Sequence, residues 1–245
     1  MEFMGMTDER AEGYVYNPLE RETFEAIAYN VVGRGSEINS LPAYRLTHSV
    51  GASGWSIGIM QWDFGQPGRQ EKARELVAGY QQWAADDRRY SPSEAASLTT
   101  RLQTPGQRGN TLTSDEQSRL NEYLRSDPGR EFVNGLDREQ CGYKWENVGQ
   151  PLSQIRWLQK LSRSDPGQAA EIVAMASKRF NQGEARGLEL VEHLQSHEMT
   201  SAELNNWIDV VSARPPANHA ALISGRDNAL AAVRLMNGLE LGMVD

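Results

Sequence analysis

Glu37 is the residue whose position carries the most chemistry. It follows Gly33-Arg34-Gly35, where a helix opened at Asn17-Pro18 is predicted to stop, its apolar face being Leu19, Phe24, Ile27, Ala28 and Val31. The partial negative charge of a helix C-terminus disfavours an ionised carboxylate, and apolar neighbours such as Ile38, Leu41 and Tyr44 raise the pKa further. A carboxyl group kept protonated in this way is a general acid, suited to protonating the leaving oxygen of a glycosidic bond. Such cleavage commonly takes a second carboxylate on the opposite face of the sugar. No Asp or Glu lies between Ile38 and Trp62; the first is Asp63, and Thr47, His48 and Ser49 stand in the intervening stretch. On its own, a glutamate after a helix stop is equally an exposed polar residue.

Other chemistries are less well supplied. The stretch Pro105 to Glu116 ends like an EF-hand loop, with Leu112 at the eighth position, Thr113 at the ninth and Glu116 at the twelfth, where a bidentate calcium ligand belongs. It begins badly, with Pro105, Gln107 and Gly109 at the first, third and fifth positions. The same residues also read as a capping box of Thr113 with Glu116. Calcium at this degenerate loop is therefore the one weak metal candidate, and no cofactor is required. The single cysteine, Cys141, excludes an intramolecular disulfide and reads as a buried structural thiol. His193 and His197 have a zinc-compatible i, i+4 spacing, but no Glu takes the usual base position, so an exposed helix face is expected. Phosphate-binding, zinc-protease and serine-hydrolase motifs are missing.

These residues need elements to hold them. From Ser36 to Phe64, Gly51, Gly54 and Gly58 alternate with Tyr44, Leu46, Val50, Trp55, Ile57 and Ile59, predicting short strands and turns. Helices are predicted over Glu71 to Ala85 and after Ser91-Pro92, with Ala95, Leu98 and Leu102 on one face. Two Ser-Asp-Pro-Gly tetrapeptides, at Ser126 and Ser164, mark further helix starts. Later helices run through Ile155–Leu161, Ala169–Phe180, Leu188–Leu194, Ala202–Val211 and Ala220–Leu235, and Thr200 with Glu203 makes a capping box. The fold class is α+β, predominantly α-helical, with one small hairpin sheet near the N-terminus. Residues 1–16 read as an added leader, 17–245 as one domain, and 90–126 as a helix-loop-helix insertion of EF-hand-like shape.

A helix, a Glu at its end, and then a hairpin carrying Ser56-Ile57-Gly58-Ile59-Met60-Gln61 resembles the lysozyme superfamily. In its goose-type and lytic-transglycosylase branches a Gly-Leu-Met-Gln-like stretch follows the acid at a comparable distance. The longer string from Gly33 to Asn39, continued by Trp62-Asp63-Phe64-Gly65-Gln66-Pro67, is similar to the muramidase modules at the C-termini of type VI secretion effectors. The specific match spans about Ile27 to Arg69. The resemblance implies a lysozyme-like fold and cleavage of the MurNAc–GlcNAc linkage, with Glu37 as general acid. Ser56 and Gln61 would line the floor of the glycan cleft, with Tyr44 beside it. Asp63 would be the second acid or a cap for the turn at Gly65; a water held by Thr47 or His48 is the alternative. Trp55 and Trp62 are either core residues or platforms that stack on sugars. A lytic transglycosylase needs no hydrolytic water, so the missing hairpin carboxylate leaves that outcome open beside a chitinase- or chitosanase-like activity. A non-catalytic module that docks on cell wall or partner is the rival of another class.

A net charge of −8 argues against nucleic acid as a partner. Because bacterial envelopes are anionic, it also favours delivery by a carrier over free adsorption. The resemblance implies a secreted protein acting in the periplasm of target bacteria on peptidoglycan glycan strands, with a secretion-system carrier and an immunity protein as further partners. No N-terminal signal peptide and no membrane span are expected.

Overall fold

Glycine punctuation and helical spacing give a predominantly α-helical protein with one small antiparallel sheet. A computed structural model describes residues 17–33, 44–48, 53–108, 111–212 and 219–241. They form two compact units, one of residues 17–33 with 144–241 and the other of residues 44–143.

The unit of residues 44–143 holds the hairpin. Strand β1 (Ser56–Ile57) pairs with β2 (Trp62–Asp63), Ser56 opposite Asp63 and Ile57 opposite Trp62. Thr47 adds an isolated bridge to Ser56, its N–H donating to the Ser56 carbonyl at 2.7 Å. Strands this short have no independent stability, so helices must hold them. Those helices are α2 (Glu71–Trp83), α3 (Pro92–Gln103), α4 (Ser114–Arg125) and α5 (Asp127–Lys144). Trp55, Ile57, Trp62 and Phe64 enter one apolar cluster with Leu76, Tyr80, Leu98, Leu102, Leu120 and Leu136. Each such side chain removed from water stabilises the unit by about 1.5–3 kcal/mol. Leu98 and Leu102 of α3 and Leu120 of α4 belong to this same core, so the 90–126 segment predicted as an insertion is part of what the hairpin rests on.

Two glycines let the backbone close on itself behind the hairpin. A Cβ on Gly54 would lie 2.6 Å from the Gly65 nitrogen and 2.8 Å from the Leu102 carbonyl oxygen, while one on Gly65 would lie 2.5 Å from the Gly54 nitrogen. The Trp55 N–H donates to the same Leu102 carbonyl at 3.0 Å, tying the hairpin to the end of α3.

The other unit begins with α1 (Arg21–Gly33), which buries Phe24, Ile27, Ala28 and Val31 as the spacing predicts. Asn17 opens the turn before it, its Oδ1 accepting from the Leu19 N–H at 3.1 Å. A π-helical turn (Trp145–Gly149) leads into α6 (Gln150–Ser153), where the Gln150 N–H reaches back to the Trp145 carbonyl. Pro151 supplies no N–H there, and the wider turn accommodates it. Then come α7 (Arg156–Ser164), α8 (Pro166–Gln182), α9 (Glu184–Ser196), α10 (Ser201–Ser212) and α11 (His219–Leu241). Helix α8 is the centre of this unit, packing on α1, α7, α9, α10 and α11. Its alanines, Ala169, Ala170, Ala174 and Ala176, are fully buried and allow that close packing. Asp165 caps it, accepting from the Gln168 N–H at 2.9 Å, as the Ser-Asp-Pro-Gly repeat predicts.

Candidate functional site

Glu37, Ile38 and Leu41 lie outside the described residues, so the candidate site is built from the hairpin and its supports. Ser56 and Thr47 are half-buried neighbours across the bridge, and exposed His48 sets its ring 4.8 Å from that of Trp55. The turn between the strands is Gly58-Ile59-Met60-Gln61, with Gly58 at φ 77° and Gln61 at φ 53°. A left-handed backbone at a non-glycine residue costs about 1 kcal/mol or more and persists only where the surroundings impose it. Gln61 leaves that turn exposed, with amide donors and an acceptor available to a polar ligand.

Trp55 and Trp62 are core residues, 1% and 4% exposed, so their ring faces pack on protein. Burial follows from the register: Ile57 opposite Trp62 puts both against the helices. The Trp62 ring has the Arg69 guanidinium 5.1 Å from its centroid, and its Nε1 finds no hydrogen-bond acceptor among the described residues. Tyr44 is half-buried; its hydroxyl donates to Asn134 Oδ1 at 3.1 Å, with Arg130 over the ring.

Asp63 is buried, and both of its carboxylate oxygens have partners. Oδ1 accepts from the Gly54 N–H at 2.8 Å and the Gly65 N–H at 2.7 Å, and Oδ2 accepts from Gln66 Nε2 at 3.0 Å. This carboxylate braces the two glycines whose backbones touch. It caps the turn at Gly65, one of the two roles the sequence offers for it.

Asp137 is the residue that sequence reasoning missed. It sits on α5, 4% exposed, and its carboxylate accepts from the Ile59 N–H at 3.1 Å and the Met60 N–H at 2.8 Å. Within Asp137-Arg138-Glu139 it reads as one more surface charge. The only sequence signal is its place one helical turn after Val133, on the buried side of α5.

The loop predicted as EF-hand-like has a different use for its glutamate. Thr113 and Glu116 form the capping box of α4, the Thr113 N–H donating to Glu116 Oε2 at 2.7 Å. Arg101 Nη1 donates to the same oxygen at 2.8 Å. The Arg101 guanidinium and the Thr113 donors hold the Glu116 carboxyl down at about 2. Among the described residues no three of His, Cys, Asp and Glu converge as a metal site. Cys141 is buried. Of the histidine pair expected on an exposed helix face, His197 is exposed and His193 is half-buried, its ring stacked on His197 at 4.2 Å and on Trp207 at 4.3 Å. Burial and the neighbouring His197 lower the His193 pKa. Among the described residues no helix is long and apolar enough to cross a membrane. No family model matches the chain, and it matches neither a curated protein nor a solved structure.

Proposed function

We propose that the protein is a peptidoglycan glycan-strand hydrolase, with Glu37 protonating the leaving oxygen between MurNAc and GlcNAc. The observation that carries this reading is the pairing of Glu37, just after the predicted end of α1, with a formed hairpin whose Gly58-Ile59-Met60-Gln61 turn projects Gln61 outward. In this reading Gln61, Thr47, His48 and Ser56 are the polar residues of the hairpin that meet the sugar, with Tyr44 at its flank. In the same reading the protein is a delivered antibacterial module acting in the periplasm of rival cells, and an immunity protein covers its cleft.

One observation favours a second reading, lytic transglycosylase activity. Asp63, the nearest carboxylate on the hairpin, spends both oxygens on Gly54, Gly65 and Gln66. With that group holding the fold, the attacking oxygen comes from water or from the sugar itself. Digestion of purified sacculi followed by mass analysis of the fragments separates the outcomes. Reducing MurNAc ends are expected for hydrolysis and anhydro-MurNAc ends for transglycosylation. Cleavage of chitin oligomers with intact sacculi would redirect the assignment to a chitinase-like enzyme, and no cleavage of either glycan would refute it.

A further inference from the structure

Asn134, Asp137 and Gln140 recur at every third position of α5, and each takes hold of a different part of residues 44–69. Asn134 accepts from the Tyr44 hydroxyl at 3.1 Å. Asp137 accepts from the N–H groups of Ile59 and Met60. Gln140, buried to 4% exposure and with its amide turned to accept, takes Arg69 Nη1 at 2.6 Å, while Arg69 covers Trp62. Polar side chains are costly to bury without partners, and here each meets a donor from the hairpin region.

Asp137 has the tightest coupling of the three. A Cβ on Gly58 would lie 2.5 Å from Asp137 Oδ1, so only glycine at φ 77° lets the turn descend onto this carboxylate. Two adjacent main-chain N–H groups directed at one carboxylate fix the orientation of the peptide planes of Ile59 and Met60. The next residue is Gln61, held at φ 53° with its side chain outward. The turn closes with its own hydrogen bond, the Gln61 N–H donating to the Gly58 carbonyl at 3.3 Å, and the two bonds to Asp137 seat that turn on the helix.

We propose that Asp137 is a positioning residue for the candidate glycan site: from α5 it clamps the Gly58–Gln61 turn and thereby sets where Gln61 meets the sugar. The inference rests on the glycan-cleaving reading for the identity of the ligand, and on the hydrogen bonds alone for the clamp. Because Asp137 touches main-chain amides of the turn, its loss affects ligand binding through Gln61.

Asp137→Ala and the near-isosteric Asp137→Asn test this by two readouts. In amide hydrogen exchange, loss of a carboxylate acceptor is expected to speed exchange at Ile59 and Met60 roughly 10- to 100-fold in Asp137→Ala, with Leu98 and Leu102 unchanged. Asp137→Asn, which keeps one acceptor oxygen, falls between, and it carries the test if the alanine variant does not fold. On solubilised glycan strands KM is expected to rise about tenfold with kcat within about twofold, whereas a merely structural role lowers activity in proportion to folded protein. Unchanged exchange at Ile59 and Met60 in a folded variant overturns the clamp. Faster exchange with unchanged KM overturns its role in binding. A wild-type protein inert on every glycan overturns the substrate reading, and the exchange result then decides the clamp by itself.

Discussion

At the scale of single residues, the hairpin depends on atoms that leave no room for change. Asp63 receives three hydrogen bonds, two of them from main-chain N–H groups of glycines in contact. Asp63→Ala removes the acceptor of both glycine N–H groups, one of them fully buried. It should destabilise the protein by about 1–3 kcal/mol, the cost of an unsatisfied buried group, as measured by urea unfolding. Unchanged stability in that variant would free Asp63 for a chemical role and reopen its candidacy as the second acid. Gly65→Ala brings a Cβ to 2.5 Å from the Gly54 nitrogen, a backbone atom that cannot rotate away. A loss of several kcal/mol, at the upper end of overpacking costs, is expected from its thermal unfolding, with the hairpin residues showing the largest chemical-shift changes in NMR spectra. Gln61 is different: exposed and outside any core contact, Gln61→Ala should change stability by less than about 0.5 kcal/mol. Its effect belongs in binding.

At the scale of elements, α4 is a test of what its capping glutamate does. Glu116 is held at about 2 in the folded protein, below the ordinary carboxylate value of about 4.3. A depressed carboxylate contributes stability that is fully present above the unfolded pKa and disappears as pH falls through the folded one. The stability difference between wild type and Glu116→Gln should therefore be constant from neutral pH to about 4.5 and shrink between about 4.5 and 2. Denaturant titrations at a series of pH values check this, and added calcium should leave the difference unchanged. Capping chemistry of this kind was legible in the sequence, because Thr113 with Glu116 and Thr200 with Glu203 are local and carry their own spacing. The hairpin was legible too, from glycines alternating with apolar residues. Its supports were not. Asp137, Asn134, Gln140 and Asn121, which accepts from the Leu46 N–H at 2.7 Å, bond to partners at least 70 positions away, and no local period encodes such a pairing. The burial of Trp55 and Trp62 was equally open in the sequence, since it comes from one apolar cluster shared with residues of α2 and α3.

At the scale of the whole molecule, two compact units and a net charge of −8 frame how a wall enzyme would work. An anionic protein on an anionic polymer gains nothing from Coulomb attraction, so retention on isolated sacculi should not fall when salt is raised from low to physiological strength. Pull-down at several salt concentrations checks this; a steep loss of retention with salt would mean that a basic patch does the binding. The functional assignment turns on one side chain, and the most direct measurement is turnover of purified sacculi by wild type and Glu37→Gln at matched folded concentration. Replacing a general acid by its amide removes the proton to be donated while keeping the shape, and a loss of at least about 100-fold in kcat is expected with circular dichroism unchanged. Turnover by Glu37→Gln at the wild-type rate would contradict the general-acid role and, with it, the lysozyme-like reading.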